Sequence, residues 1–587
     1  MFEAEQERIS EQIRAYCQTQ GLTLEAVQWN WIPFSGHWGI SLPFFPIAAQ
    51  ESRQGQKINV GARAQELAEG AAAHLGLPAG FERVEAVRGY LNLYFDSGAY
   101  ARRVLEHVRL EQERFGSGAA RGEQVMVEFS QPNTHKAFHV GHLRSAILGD
   151  TLARILEFAG YAVIRANYPG DMGLHVIKWL WNYQKFHKGE KPQKDITQWM
   201  GQLYAEASRR LEENPDLEAE VRALYQAWDR REPEIVGLWE ETRQWSLEGF
   251  HQMYDLLDIR FDRYYFNSQA EQPGKVMVQD LIERGIAQDE RPDGAVIVKL
   301  DELLGLKNEK YRVMVVLRSD GTALYATEDL ALAKIKFEEY PQLARSLYVV
   351  DVRQSLHFQQ VFKTLELAGY DWAQRCQHIP YELVSLPGNV VMASREGTVV
   401  LLEDLIREAT ERALQVVSEK NPDMGAEQKL EVAKAVGIGA IKYPMLAREN
   451  AKTVTFDWQA ALDFNGQASP YIQYAHVRAN SILRKLGGEL PKLAEPQHEL
   501  APAEVELIEL ISRFPKEVQR AAAELRPLCL ASLGYDLARS FSDFYNQCPV
   551  ISAEPAVRAF RVHLVAAAKQ AMANCLNILG IRAPEVM

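Results

Sequence analysis

The sequence predicts an α/β protein in which a parallel sheet covered by helices follows an α+β domain and precedes a helical bundle. Three observations support this prediction. Residues 125–167 have the pattern of strand, helix and strand, and residues after 386 have mostly helical patterns. A chain of 587 residues is also longer than one hydrophobic core can serve. We therefore expect three or four domains.

Residues 1–115 are predicted to form a separate α+β domain. An acidic helix leads into the aromatic, proline-punctuated stretch WNWIPFSGHWGISLPFFP, and a helix at about 60–75 and a strand at GYLNLYFD follow. Trp29, Trp31 and Trp38 suit either base stacking or the core of a small domain, and the core is favoured. Residues 113–124 have the composition of a linker.

The stretch from Val125 predicts a βαβ unit. VMVEF alternates as a strand, Gly160 ends a helix, and YAVIRANY forms the next strand. The apolar residues expected on one face of that helix are Leu143, Ala146, Ile147, Leu152, Ile155, Leu156 and Ala159. A βαβ unit implies a Rossmann-like parallel sheet, whose ligands bind at the carboxyl ends of the strands.

The Rossmann-like domain is predicted to cover residues 120–385 and to be split by an inserted segment at about 180–310. Long charged helices fill the insertion, and the sheet pattern is expected to resume at RVMVVLR, SLYVVDV and HIPYELV. Residues 386–470 are predicted to link this domain to a helical bundle at 471–587 with about five helices.

The turn at residues 139–142 reads His-x-Gly-His and opens the helix of the βαβ unit. Backbone N–H groups at a helix N-terminus attract phosphates, and imidazoles there can follow a developing phosphate charge. Two histidines on a loop beside the core remain the alternative. The strand-turn-helix context favours a nucleotide site.

Bulk properties exclude several classes of protein. Five scattered cysteines without a C-x-x-C pair predict no disulfide framework and no Cys-rich zinc site, and they favour a reducing, cytoplasmic compartment. No other protein-only metal site is expected from the sequence. The charged N-terminus and the lack of an apolar run of about 18 residues predict neither a signal peptide nor a membrane span. A net charge of −13 disfavours indiscriminate nucleic-acid binding but permits a tRNA partner.

Six segments, in order along the chain, together resemble the class I arginyl-tRNA synthetases. They are SQPNTHKAFHVGHLRSAILGDTLARILEFAGYAVIRANYPGDMG, DGTALYATEDLALAK, VVDVRQSLHFQQVF, ASPYIQYAHVRANSIL, FSDFYNQCPV and LNILGIRAPEVM. The resemblance implies an enzyme that activates L-arginine with ATP, Mg²⁺ entering with the ATP, and transfers arginine to the 3′-terminal adenosine of tRNA(Arg). It also implies that bound tRNA is needed for activation.

By this resemblance, His139, Gly141 and His142 occupy the HIGH motif, which holds ATP and stabilises the α-phosphate. A glycine at 141 leaves room for the nucleotide, although a purely structural glycine is the alternative. The second class I signature, KMSKS in many members, falls on a degenerate loop that lacks the expected lysines. The loop residues assigned to ATP are Met392, Ser394, Arg395 and Gly397.

Lys136 or Arg395 is hypothesised to replace the missing lysine on the β- and γ-phosphates, and a surface role is the alternative for Lys136. The resemblance further assigns the arginine pocket. Glu128 is expected to hold the α-ammonium and Asn133 the carboxylate or ammonium, while Tyr325 and Asp329 are expected to meet the guanidinium. Ser130 and Gln354 complete this predicted pocket. Without the resemblance, Asp329 would be interpreted as a helix-capping acid.

The resemblance also assigns the outer parts of the chain to tRNA. It implies that residues 1–115 contact tRNA, that 386–470 contact its stem and that 471–587 form a DALR-type anticodon-binding domain. Tyr471 and Tyr474 are expected to stack on bases and Arg478 to touch phosphate, with burial in the bundle as the alternative. We expect a monomer. The rival functions are a noncatalytic tRNA-binding paralogue and an HxGH nucleotidyltransferase.

Overall fold

The computed structural model describes residues 3–24, 27–32, 36–53, 58–138, 140–386, 390–391 and 401–587. The chain forms two compact units. Unit 1 comprises residues 1–115, 479–515 and 539–571, and unit 2 comprises residues 116–478, 516–538 and 572–587. All the residues predicted for arginine and ATP belong to unit 2.

The N-terminal segment is α+β, with an antiparallel sheet of order β1-β2-β4-β3. Trp38 is buried and stacks on Tyr100 at a centroid distance of 4.7 Å, which confirms the core interpretation for this residue. Trp29 and Trp31 are half-buried. The elements are α1 (Glu3–Thr19), β1 (Asn30–Ile32), β2 (Gly39–Pro43), α2 (Phe45–Arg53), α3 (Val60–Leu75), β3 (Phe81–Val87), β4 (Tyr90–Phe95) and α4 (Ser97–Glu111).

The predicted βαβ unit is present, and every residue expected on the inner face of its helix is buried. The unit belongs to a five-stranded parallel sheet that continues well beyond it. The elements from here to residue 381 are β5 (Gln124–Glu128), α5 (Val140–Phe158), β6 (Ala162–Asn167), α6 (Leu174–Phe186), α7 (Ile196–Glu213), α8 (Glu218–Asp229), α9 (Pro233–Leu256), β7 (Arg263–Tyr264), α10 (Asn267–Glu283), β8 (Gln288–Asp289), β9 (Val296–Lys299), α11 (Leu300–Leu303), β10 (Val313–Leu317), α12 (Tyr325–Glu339), β11 (Leu343–Asp351), α13 (Ser355–Leu367) and β12 (Cys376–Tyr381).

The parallel sheet has the order β12-β11-β5-β6-β7, so β5 is its central strand. Helix α5 packs on the sheet, while α10, α12 and α13 bury apolar side chains against β5, β6 and β11. Strand β7 forms one edge of the sheet, although it lies within the stretch of about 180–310 that was predicted to be an insertion. The carboxyl ends of β5, β6 and β11 lie side by side, as the βαβ pattern requires.

The prediction that the parallel sheet resumes at RVMVVLR was wrong. This segment forms β10, which pairs antiparallel with β9 in a separate sheet of order β10-β9-β8. Its residues alternate between exposed and buried, with Val313 and Val315 exposed. A strand covered on both faces is buried along its whole length, as β11 is from Ser346 to Asp351.

The chain after residue 383 is mostly helical, as predicted, but contains four helices after residue 468 rather than about five. A small sheet of order β14-β13-β15 is formed by segments that come before these four helices in the chain. The elements are β13 (Val384–Leu386), β14 (Val390–Val391), α14 (Leu402–Lys420), α15 (Ala426–Leu446), β15 (Val454–Thr455), α16 (Trp458–Ala461), α17 (Ser469–Leu486), α18 (Pro502–Glu524), α19 (Leu528–Gln547) and α20 (Pro555–Ile578). Within the described ranges, no helix combines the length and apolarity needed to cross a bilayer.

Candidate active site

The loop that follows the central strand β5 has an unusual backbone. Ser130, Gln131 and His135 have φ values of 76°, 50° and 59°, which non-glycine residues rarely adopt. The Ser130 N–H donates to Ser145 Oγ at 3.0 Å, and the Gln131 N–H donates to Asn167 Oδ1 at 3.1 Å. Such strain is typical of functional loops that their surroundings hold in place.

A cavity of about 240 Å³ opens beside this loop, at the carboxyl ends of β5, β6 and β11. It brings together five of the six residues predicted for arginine, namely Glu128, Asn133, Tyr325, Asp329 and Gln354. Its other lining residues are Gln131, Tyr168, Gly170, Asn267, Val350 and Phe358. The lining therefore offers carboxylates, amides and aromatic rings.

Asp329 and Tyr325 lie one turn apart on α12, so their side chains share a face of this helix. Asp329 Oδ2 accepts a hydrogen bond from His357 Nε2 at 2.6 Å, and the Asp329 side chain is 17% exposed. Each carboxylate oxygen can accept more than one hydrogen bond. His357 therefore orients Asp329 and leaves it able to accept bonds from a cation in the cavity.

A second acid, Glu328, immediately precedes Asp329 in the sequence. Asn267 Nδ2 donates to Glu328 and also to the Tyr168 hydroxyl, the latter at 2.9 Å. Burial raises the pKa of Glu328 to about 8, the bond from Asn267 opposes the shift, and the neighbouring Asp329 adds to it. Because both Nδ2 protons of Asn267 are used, its side-chain oxygen is the group that this amide can offer to a ligand.

Glu128 is already paired. Its carboxylate contacts Lys336 Nζ, and its other oxygen accepts a bond from Gln131 Nε2 at 2.8 Å. The side chains of Glu128 and Lys336 are 2% and 0% exposed. Lys336 Nζ also lies 4.0 Å from the centroid of the Tyr348 ring. A ligand ammonium at Glu128 would therefore meet a carboxylate whose charge is balanced from within the protein.

Ser130 is the predicted pocket residue that does not line the cavity. It is buried, and its hydroxyl lies 2.7 Å from the Tyr254 hydroxyl, which also accepts a bond from Asn167 Nδ2. Burial raises the pKa of Tyr254, so this hydroxyl stays protonated. In the structure, Ser130 therefore contributes to the shape of the loop through its buried hydrogen bonds.

Gly141 and His142 lie in the first turn of α5, and the imidazole of His142 packs edge-on against Phe138 at a centroid distance of 5.3 Å. His139 lies outside the described residues. Lys136 Nζ lies 4.9 Å from the centroid of the Tyr204 ring on α7, and burial lowers the pKa of this amine. The structure therefore places Lys136 against the inserted helices.

The predicted second-signature residues Met392, Ser394, Arg395 and Gly397 also lie outside the described residues. The strands that flank them are described. Strand β13 pairs antiparallel with β14 and parallel with β15.

Tyr471, Tyr474 and Arg478 recur at helical spacing on α17 and are all half-buried. The Arg478 guanidinium lies 4.8 Å from the centroid of the Tyr474 ring. Lys420 Nζ lies 5.8 Å from the same ring. Tyr474 also packs on a cluster that contains Val417 and Met587. The three residues form one face that combines aromatic rings and positive charge.

Sequence reasoning missed four side chains that shape the cavity, Tyr168, Asn267, Lys336 and His357. Tyr168 is the last residue of the strand predicted at YAVIRANY, so the rule that ligands bind at the carboxyl ends of strands was a signal for it. His357 lies one turn after Gln354 in RQSLHF. Lys336 and Asn267 had no local signal. Among the described residues, no group of His, Cys, Asp or Glu is arranged to hold a metal ion.

Two family models match the chain. The family described as tRNA synthetases class I (R), catalytic domain, matches residues 105–458. The DALR anticodon binding domain matches residues 472–587. Together they cover the cavity residues and, on α17, Tyr474 and Arg478, while Tyr471 lies between the two matches.

Curated relatives match over most of the chain. Arginine–tRNA ligases from Clostridium botulinum (strain Hall) and Clostridium perfringens (strain 13) are each 36% identical to it, over 510 and 512 residues. Each match covers 86% of this chain and 88% of the relative.

Solved structures match as well. Thermus thermophilus arginyl-tRNA synthetase has a TM-score of 0.80 and 29% identity, and the match covers 99% of this chain and 100% of that one. The Plasmodium falciparum arginyl-tRNA synthetase shares the fold with a TM-score of 0.76 and 20% identity, and the match covers 99% of each chain.

Proposed function

The chain belongs to the class I arginyl-tRNA synthetases, the arginine–tRNA ligases, and on this premise we propose that the cavity beside β5 binds L-arginine for its activation by ATP. The reaction forms arginyl-adenylate and pyrophosphate, and arginine then passes to the 3′-terminal adenosine of tRNA(Arg). The observation that carries this assignment is the convergence of Glu128, Asn133, Tyr325, Asp329 and Gln354 on one cavity.

The guanidinium end of arginine is proposed to bind Asp329. A planar cation with five N–H donors forms its strongest bonds with a carboxylate, and the Tyr325 ring offers an aromatic face to it. His357 holds Asp329 from behind. The side-chain oxygen of Asn267 provides a further acceptor for an N–H group. This end of the cavity thus distinguishes a cationic side chain from a neutral one of the same shape.

The α-amino and α-carboxyl groups are proposed to lie near Asn133, Gln131 and Glu128. Because Lys336 balances the charge of Glu128, this end of the cavity carries little net charge from the pair. That suits a substrate whose ammonium and carboxylate also cancel. Ser130 acts here through the shape of the loop, and Gln354 closes the cavity from the side of α13.

The ATP site is proposed to lie at the first turn of α5. Gly141 gives the nucleotide access to the backbone, and His139 and His142 stabilise the α-phosphate as charge moves during adenylation. Met392, Ser394, Arg395 and Gly397 are proposed to contact the remaining phosphates, with Lys136 or Arg395 as the cation. Mg²⁺ is proposed to arrive with ATP.

The tRNA is proposed to meet the chain at several places. Residues 471–587 read the anticodon, with Tyr471 and Tyr474 as stacking surfaces and Arg478 as a phosphate contact, because aromatic rings and cations line one face of α17. Residues 1–115 and 386–470 are proposed to contact the body and stem of tRNA. We further propose that the protein is monomeric and cytoplasmic, the latter because its five cysteines are all free thiols.

Charging of tRNA(Arg) with each of the 20 amino acids tests the reaction and its specificity. We expect arginine alone to be charged at a significant rate, and ATP–pyrophosphate exchange with arginine to require tRNA. Binding without any charging would indicate a noncatalytic tRNA-binding protein, and charging with another amino acid would contradict the assignment of the cavity.

Lys136→Ala and Lys188→Ala form a matched pair for the ATP cation, since Lys188 is an exposed lysine outside the cavity. We expect Lys136→Ala to raise the KM for ATP in the exchange assay and Lys188→Ala to leave it unchanged. Equal KM values for the two variants would refute the proposed role of Lys136.

A further inference from the structure

Arg144, three residues after Gly141 on α5, has a buried guanidinium with an unusual set of partners. Its side chain is 1% exposed. One terminal nitrogen donates to the carbonyls of Glu382 and Leu383, the latter at 3.2 Å. The other donates to the carbonyls of Asn450 and Lys452 at 3.0 and 2.8 Å. The hydrogen bonds described for this guanidinium therefore all end on backbone carbonyls of two distant segments.

These two segments lead directly into the small sheet. Residues 382–383 precede β13 and residues 450–452 precede β15, and the two strands pair in parallel from Val384 and Val454. The Glu382 N–H donates to the Asn450 carbonyl at 3.1 Å, and the Val454 N–H donates to the Leu383 carbonyl at 3.2 Å. The Arg144 guanidinium thus binds the backbone carbonyls of both segments at the point where the pairing of β13 with β15 begins.

The chemistry of the contact requires arginine. A guanidinium is a rigid plane with two terminal NH₂ groups, so it can serve four carbonyls at once, whereas a lysine ammonium has three donors on one atom. Burial lowers the pKa of Arg144 to about 10, so the group stays charged at neutral pH. Buried carbonyls that lose their donors destabilise the segments that carry them.

The neighbouring residue strengthens the same junction. Ser145 Oγ donates to the Val349 carbonyl of β11 at 3.0 Å and accepts the Ser130 N–H at 3.0 Å. Two consecutive side chains of α5 therefore fix this turn of the helix, one to the loop and sheet of the cavity and the other to the start of the small sheet.

We propose that Arg144 is a positioning residue for adenylation, which locks the start of the β13–β15 strand pair to the turn of α5 that carries Gly141 and His142. The inference rests on the proposed ATP role of that turn. Nucleotide chemistry needs groups from distant parts of the chain to be aligned within a fraction of an ångström. Arg144 directly connects this turn of α5 to two backbone segments that lie 238 to 308 residues away in sequence.

The first test compares Arg144→Lys with Arg165→Lys. Arg165 is a matched control because it is also almost fully buried, at 2% exposed, but its guanidinium pairs with the carboxylate of Glu157 on α5 and it does not line the cavity. In tRNA-dependent ATP–pyrophosphate exchange, we expect Arg144→Lys to raise the KM for ATP or lower kcat by about tenfold, with the KM for arginine nearly unchanged. Equal effects of the two substitutions on KM and kcat would overturn the proposal.

Hydrogen exchange provides a second test that does not require activity, for Arg144→Gln as well as Arg144→Lys. We expect faster exchange in peptides covering 382–386 and 450–456, with protection of β5 and β6 retained. A uniform loss of protection across unit 2 would show a general structural role instead and would overturn the proposal.

His142→Gln separates failure of this inference from failure of the ATP assignment. If His142→Gln raises the KM for ATP or lowers kcat and Arg144→Lys changes neither, only the positioning role is wrong. If His142→Gln leaves both the KM for ATP and kcat unchanged, the proposed ATP site at α5 is wrong, and the inference is overturned with it.

Discussion

Asp329→Asn is the sharpest perturbation of the proposed arginine site. The substitution removes a negative charge but keeps the size of the side chain and one carbonyl oxygen. In the structure, Asp329 faces the cavity, is held by His357 and is 17% exposed. We expect weaker binding of arginine with little change in the binding of ATP.

The size of the effect follows from Coulomb's law. A carboxylate and a guanidinium about 4 Å apart attract by about 4 kcal/mol at an effective dielectric constant of about 20. Partial exposure screens this attraction, and the asparagine oxygen retains one hydrogen bond. A loss of about 2 to 3 kcal/mol remains, which corresponds to a roughly 30- to 150-fold higher KM for arginine.

The assay is ATP–pyrophosphate exchange in the presence of tRNA, with arginine and its neutral isostere citrulline as substrates. Glu338→Gln is the control, because Glu338 is an exposed acid on the same helix. Asp329→Asn should also reduce the preference for arginine over citrulline. A KM for arginine within threefold of the wild-type value, or an unchanged preference, would refute the reasoning.

Three further predictions test other parts of the molecule. Burial raises the pKa of Glu328 to about 8, so its neutral form stabilises the fold at low pH and this contribution is lost as pH rises through about 8. The melting temperature should therefore fall less between pH 6 and 9 in Glu328→Gln than in the wild type, and an equal fall in the two proteins would contradict this. Gly149→Ala should lower the melting temperature, since its Cβ would lie 2.1 Å from Phe129 Cγ. The control Gly237→Ala in α9 places its Cβ where no atom lies within 4 Å and should stabilise the helix by about 0.5 to 1 kcal/mol, so a similar melting temperature for both variants would count against this packing. Arg478→Ala should raise the KM for tRNA about tenfold and leave the KM for arginine unchanged in charging assays, and an unaltered KM for tRNA would remove Arg478 from the proposed interface.

Local signals in the sequence were sufficient for the βαβ unit. The apolar face of α5 and the stop at Gly160 both depend on signals that act over a few residues, and the structure places each as predicted. The same local signals failed for β10. A short strand is defined by its own alternation, but its partner depends on where the chain returns in space.

In the candidate site, too, the sequence predicted some features and only the structure showed the others. The resemblance to a family named residues that the structure gathers in one cavity, yet it did not reveal what holds them. Lys336 pairs with Glu128 across 208 residues, and His357 orients Asp329 across 28. Periodicity reports which face of an element is apolar, so it carries no information about which buried polar groups meet.

By itself, the sequence determined the class of protein, the parallel sheet and the turn at which ATP is proposed to bind, because each depends on short-range patterns or on motifs. Only the tertiary structure decided how the charges within the fold are balanced and which segments Arg144 joins. Its four carbonyl partners are supplied by backbone, which every residue type carries. Such partners leave no mark on the sequence and exist only once distant segments have packed together.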